Sequence, residues 1–308
     1  MEAAPANNWE ALLYRGMPDL EEIRERYAAE IRATANLQSE ALVRALANVP
    51  REHFLGPGPW QLLSPGVDTD YRITPDNDPT RLYRDVLVAI DPIRQLNNGQ
   101  PSYLAFCIES LELHEGDRVV HVGCGVGYYT AIMAEVVGPS GYVVGVEIDA
   151  DLASRASQNL RYVEHVQVIH GDGGDYDPGP CDAIFVNAGA THPRTVWLDR
   201  LRPRGRLILY LTVALDDTGT GKGGMLKVVR DGSEYSAHFV SPVSVFHCIG
   251  AARDDSANQR LLRAMQHGRW ESVQSLRRDA HELSDECWLH GDDFCLSTLP
   301  LSIAPQQR

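Results

Sequence analysis

The sequence predicts an α/β fold: a doubly wound, mostly parallel sheet with antiparallel closing strands, helices ahead of it and a helical extension behind. Three observations predict it. Five apolar runs, near 118–122, 142–148, 166–170, 182–187 and 205–212, alternate with helical stretches near 127–137, 150–161 and 193–201. These runs contain continuous apolar stretches, such as 183–186 and 207–211, which suit strands buried on both faces of a parallel sheet. The first run ends in Gly123-Cys124-Gly125-Val126-Gly127, and Glu147 closes the second. Strand, glycine turn, helix, strand and acid is the order that builds a cleft for an adenosine-containing ligand.

Ahead of the core, Leu20, Ile23, Tyr27 and Ile31 fall at helical spacing, and so do Leu42, Val43 and Leu46. Residues 19–48 therefore read as two short helices, ended by Val49-Pro50. Residues 56–80 are rich in Pro, Gly and Asp and read as one long irregular loop, the kind that serves as a lid or a substrate wall. A helix over 104–113 leads into the first core strand. Beyond 212 the runs 225–229, 235–240 and 243–248 follow one another without helices, which suggests antiparallel strands. The tail, 254–308, has helical stretches near 261–265 and 273–283, and its Trp270 and Trp288 are read as packing against the body. The chain thus divides into 1–80 (helices and loop), 81–250 (core) and 251–308 (extension).

Bulk properties narrow the function. The chain has 308 residues, 44% of them hydrophobic, enough for one large domain with additions. A net charge of −14 argues against a nucleic-acid surface, which needs a concentrated basic face. The first residues contain no apolar signal-peptide core, and no run approaches the roughly 18 apolar residues of a membrane span. The six cysteines are scattered without a Cys-x-x-Cys pair and read as buried thiols in a reducing, cytoplasmic setting.

The glycine spacing selects the ligand. Gly-x-Gly-x-x-Gly would suit a dinucleotide, but Tyr128 and Thr130 occupy the third position in the two registers. The Gly-x-Gly-x-Gly actually present resembles the turn of S-adenosylmethionine (SAM) proteins, which hold no pyrophosphate. A carboxylate at Glu147 suits both ribose hydroxyls.

Several segments together resemble the protein L-isoaspartyl O-methyltransferase family. They are Leu46-Ala47-Asn48-Val49-Pro50-Arg51-Glu52-His53-Phe54, the run from Gly116 through the glycine turn to Tyr128, Gly171-Asp172-Gly173, Leu201-Arg202-Pro203-Arg204-Gly205-Arg206-Leu207 and Phe239-Val240-Ser241-Pro242-Val243. The likeness runs from about 37 to 248. It implies SAM as cofactor, with His121, Gly123, Cys124, Gly125, Gly127, Tyr128, Glu147, Ile148, Asp172, Gly173 and Asn187 as the residues around it, Asp172 meeting the adenine amino group. His121 stands where the family's turn usually has an acid. In the family's active-site loop, Thr-Ile-Ser precedes one residue and Pro. Here that stretch is Asn97-Asn98-Gly99-Gln100-Pro101, so the acceptor-side Ser is Gly99 and the Thr is Asn97, with Ser102 following.

Carboxylate methylation suits such a loop. A carboxylate with a pKa of about 4 is already ionised at neutral pH and needs orientation rather than a base. Asn97, Asn98, Gln100 and Ser102 are the candidate catalytic residues, because amides and a hydroxyl can orient an anion without neutralising it. Arg84 and Arg94 flank them and suit a second carboxylate or a peptide terminus. Other signals are weaker. In 219–224 a Walker loop would need Gly at Asp216 and Ser or Thr at Gly223, so it reads as a hairpin connection. Asn187-Ala188 lacks the prolines of amine-directed nucleic-acid methyltransferases. His281, Glu282, Asp285, Glu286 and His290 read as a solvated polar helix, and no metal is expected.

The sequence thus points to a SAM-dependent carboxyl O-methyltransferase acting on an aspartyl or isoaspartyl group of a peptide or protein, with no nucleic-acid or membrane partner. The changed loop favours a dedicated peptide. The resemblance extends to relatives that tailor ribosomally made peptides, where an Asp methyl ester closes to an aspartimide. Alternatives are isoaspartate repair with Ser102 or Asn97 standing in for the lost Ser, a small-molecule methyltransferase, and a non-catalytic SAM-binding protein.

Overall fold

The computed structural model describes residues 20–214 and 219–301, so the chain's first residues and those from 302 onward lie outside it. Helices α1 (Leu20–Ala35), α2 (Glu40–Asn48) and α3 (Arg51–Leu55) come first. Ile23, Tyr27 and Ile31 form the buried stripe of α1. The Ser39 hydroxyl caps α2 by accepting the Leu42 N–H at 3.2 Å.

The stretch expected as one irregular loop carries structure. Strands β1 (Gln61–Leu63) and β2 (Arg72–Ile73) join β3 (Leu87–Asp91) and β4 (Leu96–Asn97) in an antiparallel sheet of order β2-β1-β3-β4. Trp60 anchors it, exchanging 2.8 and 2.9 Å hydrogen bonds with Thr74 and burying its ring with Leu82, Val86 and Val88. Strands of two and three residues are too short for their alternation to show through the Pro, Gly and Asp around them.

Helix α4 (Pro101–Glu109) starts three residues earlier than expected, with Pro101 in its first turn. The central sheet follows. Strands β5 (Arg118–Val122), β6 (Tyr142–Glu147), β7 (Val166–His170), β8 (Cys181–Ala190) and β9 (Leu201–Ala214) are parallel and lie in the order β7-β6-β5-β8-β9. Helices α5 (Tyr128–Val137), α6 (Ala150–Leu160) and α7 (Thr195–Arg200) connect them. The chain runs outward from β5 through β6 to β7, then returns to β8 on the other side. That reversal opens a crevice beyond the strand ends, the usual ligand position in such sheets.

Beyond β9 the sheet continues antiparallel. Strands β10 (Thr220–Asp231) and β11 (Glu234–Phe246) are long. Two of the expected short runs are thus one strand, and most of the glycine-rich stretch expected as a connection lies inside β10. Helix α8 (Asp255–His267) covers 261–265, as expected. The remainder of the tail is not helical: β12 (Ser275–Arg277), β13 (Cys287–His290) and β14 (Cys295–Ser297) extend the sheet in the order β11-β12-β14-β13. The region 273–283 has apolar residues at helical spacing, but Leu276 pairs with Tyr235 of β11 and is only 2% exposed. Long-range pairing overrode local periodicity. Trp270 and Trp288 pack against Phe239, with ring centroids 5.0 and 5.1 Å away. No helix of the described residues is long and apolar enough to cross a membrane.

One buried cation ties the helices to the small sheet. Arg51 is 0% exposed. Its Nη1 donates to the carbonyls of Leu82 (2.5 Å) and Arg84 (3.0 Å), and its Nη2 to that of Val86 (2.7 Å). Its guanidinium carbon stands 6.0 Å from the ring centroids of both Tyr27 and Tyr128. Substituting Arg51→Met leaves three carbonyls without these donors. It should lower unfolding stability by about 3 kcal/mol or more, read as a fall in the urea midpoint with unchanged slope.

Candidate functional site

A cavity of ≈ 710 Å³ opens where β5, β6, β7 and β8 end. Its first wall is the glycine turn: Gly123 and Gly125, with Cys124 between them, line it. Both glycines hold left-handed φ values, +75° and +57°. A Cβ on Gly125 would stand in open space, whereas one on Gly123 would lie 3.3 Å from the Asn187 carbonyl oxygen. Glu147 and Ile148, at the end of β6, form the second wall. The Glu147 carboxylate accepts N–H bonds from Gly125 (2.7 Å) and Asp149 (3.1 Å), and burial raises its pKa despite those bonds. Asp172 and Gly173 follow β7, and Asn187 lies near the end of β8.

Asp172 carries a load that the sequence did not show. Its oxygens accept the N–H groups of Gly174 (2.8 Å) and Ala251 (2.7 Å), which fastens the chain after β11 over the cavity. Gly250, at φ +96°, lets that chain pass against the carboxylate. Each carboxylate oxygen retains a second acceptor site. Residues 242–249, from the end of β11 into the segment after it, make a wall that sequence reasoning missed, along with Tyr103 and Tyr129.

The opposite wall is the 97–100 loop. The Asn97 Oδ1 accepts the Gly99 N–H at 2.9 Å, a local turn that leaves Gly99 at φ +77°. Asn97, Asn98, Gly99 and Gln100 all line the cavity, and the buried Asn98 Nδ2 has no hydrogen-bond partner. Such an orphaned donor is uncommon and marks a place where a ligand oxygen would be welcome.

Four expected site residues lie outside the lining. Ser102 is buried at the start of α4, where its N–H and hydroxyl both donate to Asp85 at 2.8 and 2.6 Å; the Gln100 side-chain amide donates to the same carboxylate at 2.8 Å. Asp85 therefore fixes the loop, and no periodicity or spacing in the sequence announced it. His121 points to the other face of β5, stacked 5.3 Å from Phe185 with its Nδ1 2.9 Å from the Thr130 hydroxyl. Alternation along the strand dictates this: Val122 faces the cavity, so its neighbour cannot. Gly127 and Tyr128 have already turned into α5, and Tyr128 is 0% exposed beside Phe54. Arg84 is exposed and away from the cavity. Arg94 lines it but is engaged, donating to Asp91 at 2.6 Å and pairing with Asp149. Among the described residues of the lining, Arg94 is the one arginine or lysine, so no uncommitted strong cation faces the space.

Comparisons with known proteins agree with this geometry. A family model described as protein-L-isoaspartate(D-aspartate) O-methyltransferase matches residues 24–218. Protein-L-isoaspartate O-methyltransferase 2 of Archaeoglobus fulgidus is 33% identical over 195 residues, covering 62% of this chain and 79% of its own. Protein-L-isoaspartate O-methyltransferase 1 of the same organism is 33% identical over 215 residues, covering 66% and 89%. Among solved structures, a protein-L-isoaspartate O-methyltransferase superposes with a TM-score of 0.59 at 24% identity, over 79% of this chain and 69% of that one. A Plasmodium falciparum protein solved with S-adenosyl-L-homocysteine gives 0.56 at 18% identity, over 74% and 99%. The two structural likenesses speak to the fold.

His121 has a consequence for acid stability. Burial pushes its imidazole down to about 3 from the ordinary 6.5. Between those values the unfolded chain binds the proton and the folded chain does not. The contribution is therefore complete above pH 6.5 and is lost as pH falls toward 3, with a slope of up to about 1.4 kcal/mol per pH unit. Urea unfolding of His121→Leu over that range should show a flatter acid limb than the parent; an identical slope would contradict the assignment.

Proposed function

The chain belongs to the protein-L-isoaspartate O-methyltransferase family, and we propose that within it this SAM-dependent O-methyltransferase methylates an aspartyl carboxylate of a dedicated peptide partner. The observation that carries the proposal is that Asn98, whose buried Nδ2 has no partner, lines the same cavity as the glycine turn and Glu147. SAM, when bound, supplies a methyl group on a sulfonium. The residues that fit it are Gly123, Cys124 and Gly125 at the turn with Asn187 beside them, Glu147 and Ile148 toward the ribose, and Asp172 and Gly173 toward the adenine. Asn98, Asn97 and Gln100 then orient the acceptor carboxylate, which needs no base. The lining acids are poorly placed to act as one. Glu147 and Asp172 accept backbone N–H groups, and Asp149 pairs with Arg94.

Gly99 favours a dedicated acceptor over general repair. The family's serine would there require a left-handed backbone, and its Cβ would sit 2.9 Å from the Leu104 Cδ2. Ser102 is committed to Asp85, so it does not stand in for the missing hydroxyl. An Asp methyl ester is attacked by the following backbone nitrogen, which loses its proton as methanol departs, leaving a succinimide.

Mass spectrometry of a candidate partner peptide with SAM should show gain of one methyl group and then loss of methanol, while an isoaspartyl test peptide and its Asp twin stay unmodified. Methylation of the isoaspartyl peptide alone would return the chain to repair. The rate should be flat from about pH 6 to 8.5, well above the carboxylate pKa of about 4. A limb titrating in that range would mean that a general base takes part and would sink the carboxylate reading.

The two walls should separate on mutation. Glu147→Ala should weaken adenosylhomocysteine binding about tenfold or more by calorimetry, and Asn98→Leu should raise the peptide KM by a similar factor while leaving that affinity in place. Both follow from roughly 1.5–3 kcal/mol per hydrogen bond to a charged group.

A further inference from the structure

The extension beyond β11 lies outside the family match and places four soft ligands together. In sequence they read His281-x5-Cys287-x2-His290-x4-Cys295. Expected as a solvated helix, this stretch instead folds as a loop leading into the β13–β14 hairpin. Cys287 and His290 lie on β13, Cys295 lies on β14, and His290 is the register partner of Cys295. His281 reaches in from the loop. One ligand atom from each of the four lies within 4.8 Å of all the others, a convergence found once among the described residues.

The fine geometry is that of a coordination site. The Cys287 Sγ is 3.5 Å from the His281 Nε2. Tetrahedral zinc with bonds of about 2.0–2.3 Å separates its ligand atoms by roughly 3.3–3.8 Å. The opposite nitrogen of that ring, Nδ1, lies 2.8 Å from the Asp279 carbonyl oxygen. This fixes the tautomer and leaves Nε2 bare, as an outer carbonyl does for metal-binding histidines. The His290 Nδ1 is buried with no partner in the protein. The cysteines are free thiols.

We propose that His281, Cys287, His290 and Cys295 form a closed structural zinc site. Two thiolates and two imidazoles select zinc over magnesium or calcium, which require oxygen ligands. Two thiolates balance the dication, so the half-buried site carries no net charge; each cysteine releases its proton to solvent on binding. Four protein ligands leave no open position, which makes the role structural. The metal pins the 278–286 loop to the hairpin, and the hairpin's Trp288 packs on Phe239 of β11. The same strand forms a wall of the cavity.

The test uses the full chain with any affinity tag removed, and it reads metal rather than activity. Elemental analysis should find about one zinc per chain. Cobalt substitution should give the visible bands of tetrahedral coordination with thiolate charge transfer. Chelation should lower Tm by several degrees, with recovery on adding zinc and none on adding magnesium. Cys287→Ser and His290→Ala should each cut zinc content several-fold; if either fails to fold, the chelation and cobalt measurements on the parent still decide. Protein that is metal-free under reducing conditions, with a Tm indifferent to chelator and to zinc, would overturn the proposal. So would a Cys287–Cys295 disulfide in place of metal in protein isolated without reductant.

Discussion

The buried guanidinium of Arg51 is the constraint on which the rest of the molecule depends. Among the described residues it has no carboxylate partner. Three carbonyls from 82–86 and the faces of two tyrosines hold it instead. Taking a charge out of water is costly, and it is offset here by the fixed carbonyl dipoles that Nη1 and Nη2 meet, although the buried Nε finds no partner. In return, a segment with little regular structure of its own is held still. That segment carries Asp85, whose carboxylate sets the start of α4 and the Gln100 amide. Tyr128, on the other side of the guanidinium, opens the helix that follows the glycine turn. A single side chain therefore braces both walls of the cavity from behind.

The parallel core was legible because its inner strands carry continuous apolar stretches, as at 183–186 and 207–211, which suit burial on both faces; the outermost, β7, is Val-Gln-Val-Ile-His and only partly buried. The turn and its acid were legible because their spacing is fixed by backbone geometry. What spacing could not say was direction. His121 and Tyr128 adjoin the turn in sequence, but strand alternation and the onset of a helix send both side chains into the core. Ser102 was misread for a related reason: Pro101 starts a helix, and the second helical position faces the capping carboxylate. Asp85, Arg51 and the 242–249 wall are brought in by tertiary packing, which no local pattern encodes.

The extension was the least legible part. Its strands are three or four residues long, and their pairing partners lie as far as 41 positions away, as between Tyr235 and Leu276. Its histidines were weighed without the two cysteines that share their space, because no pair has the Cys-x-x-Cys spacing. The added strands give β11 a neighbour on each side. An edge strand frays, and a covered strand does not. That cover protects the start of β11, at Tyr235 and Ser236, while the wall segment 242–246 is paired with β10 alone among the described strands.

Gly99 also limits what the loop can become. Its left-handed backbone resists any side chain, and a Cβ there would come within 2.9 Å of the Leu104 Cδ2. Adding a hydroxyl at this position therefore costs backbone strain and a shift of the Leu104 side chain, so the shape of the turn, and not its chemistry alone, selects glycine.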